Sequence, residues 1–488
     1  MFSFDNTYAK LPNRFYARVQ PRTPSNPKPV IRNVELAREL ELDIDAFLDD
    51  AGVAALSGLR VPEGAAPLAM AYAGHQFGVW VPSLGDGRAL LLGEIIDRHG
   101  RRRDIHLKGS GKTPFSRQGD GKMWLGPAIR EYIVSEALHG LGIPTTRSLA
   151  VMETGDPVYR ERAFPGAVLT RVGNAHVRVG TFEYFAARND DAAVKLLADY
   201  VISRLYPELI ESDRPYIELL RTLIKRQAEL IAQWMSVGFI HGVMNTDNVS
   251  LAVETIDFGP CAFMDIYSPG RVFSSIDSTG RYSFSLQPSI AHLNLLPLAR
   301  SLLPFIDDDR KRAIQLAQDA LDAFPDTYDL AYEDIAHKKL GLYEWKAGDK
   351  DLASDFLGAV RFANADLTLS YRTISTDQPL SLKCEDFAAF CEDLGPFEDW
   401  LYDWHRRLRS EKVCSRERGE MMRRHNPLYI ARNHQVQKAI DKALDGDFSY
   451  VHWLAKVLSQ PFTEQDGAES LAQMPLKHEV VHETYCGT

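Results

Sequence analysis

Residues 66–181 carry short apolar runs, ALLLGEI, DIHLKG, SLAVME and AVLTRV, separated by glycine turns. Their length and their flanks predict strands. A single strong helical stretch, residues 128–141, interrupts them. Beyond about residue 190 the apolar period becomes helical. Leu220, Leu223, Ile224, Ile231, Trp234 and Met235 recur on one face of residues 215–237, and Pro215 suits the first turn of that helix. After Phe239 the period breaks into a polar loop, two short apolar runs (VSLAV and ETIDF) and a glycine- and serine-containing segment that extends to Gly280. Helices then resume over residues 293–458, in RKRAIQLAQDALDAF, KDLASDFLGAVRFA and FEDWLYDWHRRLRSE.

This order predicts an α+β chain built from a small strand-rich lobe followed by a large helical one. The expected divisions are an N-terminal extension over residues 1–65, the strand-rich lobe over 66–185, the helical lobe over 186–460 and a tail over 461–488. No internal repeat or low-complexity tract competes with that plan. Ligands favour the place where two such lobes meet, so the residues lining that cleft are the candidates for function.

Composition narrows the classes. The 488 residues are 45% apolar and 25% charged, which excludes a disordered or fibrous chain. A formal charge of −10, from 56 basic and 66 acidic side chains, argues against broad affinity for nucleic acid or anionic membrane. The sequence reads as having no apolar stretch of the ~18 to 20 residues that cross a bilayer. The first residues lack the basic-then-apolar pattern of a secretory signal, so a cytoplasmic location is expected. Cys261, Cys384, Cys391, Cys414 and Cys486 form no C-x-x-C pair and no metal-ligand spacing, which fits a reducing compartment.

Four constellations carry candidate chemistry. The first is the turn Ser83-Leu84-Gly85-Asp86-Gly87-Arg88, whose glycines would let backbone amides approach a phosphate; an ordinary hairpin turn uses the same residues. Downstream of it Lys108 ends a strand, and Glu131 lies in the helix that follows. In kinase-type sites a strand lysine holds nucleotide phosphates and is positioned by a helix glutamate. The neighbouring Gly109-Ser110-Gly111-Lys112-Thr113 is not a P-loop, because His106 stands where that motif needs glycine. The turn Gly119-Asp120-Gly121 that follows is expected to cover the cleft.

The strongest signal is His241-Gly242-Val243-Met244-Asn245-Thr246-Asp247-Asn248, followed by Asp257-Phe258-Gly259. Asn248 and Asp257 offer hard oxygen ligands that can share a divalent cation. The kinase loop H-R-D-x-x-x-x-N places its catalytic aspartate five residues before the asparagine, where this chain has Val243. Valine accepts no proton. Asp247 is the nearest replacement carboxylate, with a loop-capping role as the alternative. Arg171 and Arg178 flank Gly173-Asn174-Ala175-His176 between the lobes, where two guanidinium forks would suit a triphosphate; exposed ion pairs are the alternative.

These residues resemble the selenoprotein O family of protein adenylyltransferases, atypical members of the protein-kinase-like fold. The resemblance spans nearly the whole chain and is carried by AYAGHQFG from Ala71, LGDGRA from Leu84, LKGSGKTPFSRQGDG from Leu107, HGVMNTDN with IDFGP, and NPLYIARNH ending at His434. It implies a two-lobed kinase-like fold that binds ATP inverted, so that AMP passes to Ser, Thr or Tyr hydroxyls of proteins, the chain itself among them, and pyrophosphate leaves. It implies nucleotide binding by Gly85, Gly87, Arg88, Lys108, Asp120, Gly121, Arg171, Arg178 and Asp257, with Glu131 as the partner of Lys108. It also implies Asn248 and Asp257 as ligands to Mg2+ or Mn2+, and Asp247 as the proton acceptor.

The chain departs from that family in two places. Many members carry a selenocysteine or paired cysteines near the C-terminus, where this chain has the single Cys486; a Cys486–Cys261 disulfide is the remaining redox expectation. Leu286 and Leu293 stand where members often have Asn and Trp, which bears on acceptor docking. Two other readings stay open: phosphoryl transfer with Asp247 as base, and a nucleotide-binding scaffold without turnover.

Overall fold

The computed structural model describes residues 1–485. The chain is a mixed α/β fold in which one antiparallel sheet of eight strands precedes a long succession of helices. Across the sheet the strands run Tyr16–Arg18, Leu68–Met70, Ala89–Ile96, Arg102–Lys108, Ala163–Gly173, Arg147–Tyr159 and Lys28–Arg32, with Met123–Trp124 added beside Ala163–Gly173. All four apolar runs of the sequence are strands here. Both edges come from the first 32 residues, because Tyr16–Arg18 pairs with Leu68–Met70 and Lys28–Arg32 pairs with Arg147–Tyr159.

The register of the central strands builds one wall of the site. Leu169 stands opposite Lys108 and Arg171 opposite His106. Side chains alternate along a strand, so Lys108, His106 and Arg171 project from the same face. Against that face packs the helix Leu125–Gly140, almost wholly buried. Glu136 clamps this helix to the sheet by accepting from Arg147 Nη2 at 2.7 Å and from the Ser148 amide at 2.9 Å.

The helix Pro215–Ser236 buries the predicted stripe of Leu220, Leu223, Ile224, Ile231 and Trp234 against its neighbours. It leads into Phe239–Ile240, which pairs with Ala262–Phe263 and thereby closes the neck of a loop, residues 241–261. Within that loop the runs VSLAV and ETIDF do not pair with each other. Val253 and Asp257 have φ of 55° and 64°, which breaks an extended backbone. Ser250 bridges to Arg178 and Thr255 to Thr145 instead.

One helix reaches the length and apolarity that the sequence was expected to lack. Phe284–Ile306 is long and apolar enough, by length and composition, to cross a membrane. In this fold it buries Ile290, Leu295, Leu298 and Leu302 in the main core. Its polar residues serve the loop beside it: Gln287 Oε1 accepts from the His241 amide at 2.9 Å, and Asn294 Nδ2 donates to the Met244 carbonyl at 2.7 Å.

Candidate active site

Three cations converge on one carboxylate. Lys108 Nζ lies 2.7 Å from Asp257 Oδ1, Arg171 Nη1 lies 2.8 Å from the same oxygen, and Arg178 Nη1 lies 2.6 Å from Oδ2. Burial alone would raise the Asp257 carboxyl, but Lys108, Arg178 and Arg171 outweigh it and hold the group well below the usual carboxylate range. Glu131 completes the cluster from behind, 2.6 Å from Lys108 Nζ and 3.3 Å from Arg171 Nη1. The strand lysine, the helix glutamate and the loop aspartate of the sequence are therefore in direct contact.

Arg171 is also held from below. His106 meets Arg171 Nη2 through Nδ1 at 3.3 Å and Asp86 Oδ2 through Nε2 at 3.4 Å. Burial lowers the His106 imidazole more than Asp86 raises it. A neutral ring that accepts at Nδ1 and donates at Nε2 satisfies both neighbours. The histidine that excluded a P-loop reading thus links the glycine turn to the arginine.

Arg178 reaches across to the loop. Its Nη1 donates to the Asp247 carbonyl at 2.6 Å and stands 3.5 Å from Asn248 Oδ1, while its guanidinium lies 4.8 Å from the centre of the Tyr72 ring. Asn248 Nδ2 donates to the carbonyl of Val243 at 2.9 Å, which turns its Oδ1 toward Arg178 and Asp257. Asp247 is buried, and burial pushes its carboxyl up to about 6. Its Oδ2 accepts from Gln76 Nε2 at 3.2 Å, and its Oδ1 has no hydrogen-bond partner among the described residues.

Sequence reasoning attached no role to the hairpin Gly74–Gln76 and Val79–Val81 that holds this loop. The His75 amide donates to Thr246 Oγ1 at 2.8 Å, and the Phe77 amide donates to Asn245 Oδ1 at 3.0 Å. Tyr282 donates to the same Asn245 oxygen at 2.6 Å, and His75 Nδ1 lies 2.6 Å from Glu183 Oε1. The signal was the glycine within AYAGHQFG. A Cβ on Gly74 would stand 2.8 Å from Asp247 Oδ1, so the ribbon approaches Asp247 as closely as only glycine permits.

The glycine turn is closed by residues 113–121. Gly85 has φ of 63°, and a side chain there would strike the ring of Phe115; above Gly87 lie the Phe115 carbonyl and Ser116. The sequence had assigned these glycines to a close approach of phosphate, whereas in this fold their immediate neighbour is the covering loop. Thr113 Oγ1 donates to the Asp86 carbonyl at 2.6 Å, and Ser116 Oγ donates to the Gly87 carbonyl. Asp120 is fastened by Arg160, whose Nη1 is 2.9 Å from Oδ2. Gly121 has φ of 68° and passes directly over the Gly111 carbonyl. Arg160 lies at the tip of the long hairpin, far in sequence from every motif, and no spacing rule could have found it.

These elements enclose a cavity of about 790 Å3. Gly85, Gly87, Arg88, Lys108, Asp120, Gly121, Arg171, Arg178, Asp247, Asn248 and Asp257 all line it; Glu131 does not and acts through Lys108. Seven cationic and four acidic side chains face this space in a chain whose formal charge is −10. The surplus suits a polyphosphate. Arg88 Nη1 has no hydrogen-bond partner among the described residues. Asn248 and Asp257 supply hard oxygens on one guanidinium, a donor set that fits a divalent cation whose other ligands come from phosphate and water. Cys261 is buried behind this wall, while Cys486 and hence the expected disulfide lie outside the described residues.

Comparison with known proteins agrees with this chemistry. A family model described as "Protein adenylyltransferase SelO" matches residues 1–459. The chain is 52% identical to "Protein nucleotidyltransferase YdiU" of Rhodopseudomonas palustris (strain BisB5) over 488 residues, which covers all of this chain and 99% of the relative. The proteins of that name from Bradyrhizobium diazoefficiens and Rhizobium meliloti (strain 1021) are each 51% identical over the same span, again with 99% of the relative covered.

Proposed function

The chain belongs to the SelO family of protein adenylyltransferases, and from that premise we propose that it binds ATP inverted in a kinase-like cleft between two lobes and transfers AMP to Ser, Thr or Tyr hydroxyls of cytoplasmic proteins. The observation that carries this reading is the convergence of Lys108, Arg171 and Arg178 on Asp257, among the least exposed residues of the cavity wall. Cations at that depth favour the triphosphate tail there and leave the α-phosphorus toward Asp247. A tail directed outward would leave Arg171 and Arg178 only the singly charged α-phosphate to meet.

In this reading the acceptor oxygen forms a bond to the α-phosphorus while the bond from that phosphorus to the bridging oxygen breaks. The electron pair leaves with pyrophosphate, and the hydroxyl proton passes to the carboxylate of Asp247, which lines the cavity. Lys108, Arg171 and Arg178 stabilise the charge that develops on pyrophosphate. Glu131 keeps Lys108 and Arg171 in place. Arg88 and the Asp120–Arg160 pair complete the nucleotide's enclosure. Mg2+ or Mn2+, held by Asn248 and Asp257, would add charge neutralisation of the phosphates. Val243 removes the carboxylate that γ-phosphoryl transfer uses, which weighs against a kinase reaction.

Incubation of the purified chain with Mg2+ and ATP labelled at either the α- or the γ-phosphorus tests the reaction. AMP transfer places the α label on protein and the γ label in released pyrophosphate. The γ label on protein would assign phosphoryl transfer instead, and neither label with retained ATP binding would assign a scaffold.

A further inference from the structure

The two strands of the Gly74–Gln76 and Val79–Val81 hairpin have different surroundings. The first is fastened to the Asp247 loop through the His75 and Phe77 amides. The second has no further strand beside it among the described residues, and its Val79 and Trp80 are exposed. Register decides where its side chains face. Gln76 stands opposite Val79, and Gly74 opposite Val81. Opposite residues of an antiparallel pair share a face. Gln76 donates to Asp247 and Gly74 packs against it, so Val79 lies on the face that looks toward Asp247.

A second exposed apolar side chain is Ile276. It lines the cavity and is 60% exposed, while Val79 is 67% exposed. The hairpin and the segment bearing Ile276 are joined where the Phe77 and Tyr282 rings pack at 5.0 Å and where Arg281 covers Gly78. A single exposed apolar side chain is ordinary. Ile276 on the cavity lining, with Val79 on the open edge of a hairpin whose Gln76 and Phe77 line the same cavity, forms a binding arrangement for an extended peptide.

We propose that this strip is where the acceptor protein docks. An extended segment adds alongside Val79–Val81, and a bulky apolar side chain next to the reacting hydroxyl seats against Val79 and Ile276. This rests on the adenylyl-transfer reading and names the substrate class of that site. The occupant follows from continuity with the cavity: Gln76 and Phe77 of the hairpin line it together with Asp247, so a hydroxyl within reach of the Asp247 carboxylate is carried by a chain that passes the hairpin. Strand addition satisfies the backbone of that chain, and the apolar neighbour supplies selectivity.

Short peptides with one central Tyr, Ser or Thr and flanks of Leu, Lys or Glu, incubated with the full chain, Mg2+ and α-labelled ATP, provide the test. The wild type labels Leu-flanked peptides roughly tenfold faster than the charged sets, the ratio expected for burying one aliphatic side chain. Val79→Glu moves the preference to Lys-flanked peptides through acceptor KM, with KM for ATP held, and Val79→Ile keeps the wild-type order. Leu330→Glu, at a site 68% exposed and outside the cavity lining, keeps that order too. Equal α-labelling of all flanks, or a Val79→Glu variant that still prefers Leu, overturns the docking strip while AMP transfer stands. Self-labelling of the chain without labelling of any peptide overturns docking of an extended segment. Transfer of the γ label alone overturns the adenylyl reading itself.

Discussion

Gly74 lies so close to Asp247 that a Cβ added at residue 74 would stand 2.8 Å from Oδ1 and 3.1 Å from the backbone nitrogen of Asp247. The hairpin and the loop therefore fix each other. Gly74→Ala must displace the carboxylate, and a displaced general base costs ~10- to 100-fold in rate. The transfer rate should fall by that factor while KM for ATP stays within about twofold. Gln76→Ala, which leaves both Asp247 oxygens without a side-chain partner, should fall in the same sense. An unchanged rate in both variants would remove Asp247 from the reaction.

Glu131 bonds two buried cations and touches nothing in the cavity. Glu131→Gln leaves Asp257 as the one carboxylate that Lys108, Arg171 and Arg178 share, and the loss of one charged partner from a buried ion cluster costs about 3 kcal/mol. The melting temperature should drop, and added pyrophosphate should restore more of it in the variant than in the wild type. Thermal unfolding with and without pyrophosphate reads this directly; equal shifts in both proteins would place the anion elsewhere.

Arg160 holds Asp120 from the far tip of the hairpin, with its side chain 18% exposed. Such a half-open pair is worth little to stability. Arg160→Ala should leave the melting temperature near wild type and raise KM for ATP ~3- to 10-fold through a loosened cover. Steady-state kinetics at varied ATP decide this, and an unaltered KM would mean that residues 113–121 close the cavity without Arg160.

Lys339 is 2% exposed, with Nζ 4.0 Å from the centre of the Tyr371 ring, and burial pushes its ammonium down to about 7 from 10.5. The unfolded chain therefore binds more protons between those values, so this group's contribution to stability rises with pH across that window. Below about 7 both states are protonated and the folded state carries the full burial penalty. Lys339→Met removes it, so the variant should melt higher than wild type at pH 6, with the gap narrowing toward pH 10. A gap that is constant with pH would show that Lys339 stays charged in the fold.

How far the sequence could be read depended on whether a contact joined motifs or crossed between them. Lys108, Glu131 and Asp257 were legible because element type and order constrain them, and all three meet. The contacts of His75 and Gln76 with Thr246 and Asp247 span 171 residues and follow no periodicity. The strands at residues 16–18 and 28–32 were missed because each is short and gains its hydrogen bonds only from distant partners. Gly85 was read as a glycine that lets backbone amides approach a phosphate, and in the fold a side chain there is excluded. What excludes it, the ring of Phe115, lies on a loop whose path no local rule sets.

The direction of the nucleotide decides the reaction, and a crystal structure of the wild-type chain with Mg2+ and an ATP analogue uncleavable between the α- and β-phosphorus reads it most directly. The γ-phosphate should lie against Arg171 and Arg178, with the α-phosphorus open toward Asp247. A γ-phosphate beside Asp247, with the α-phosphate buried against those arginines, would contradict it.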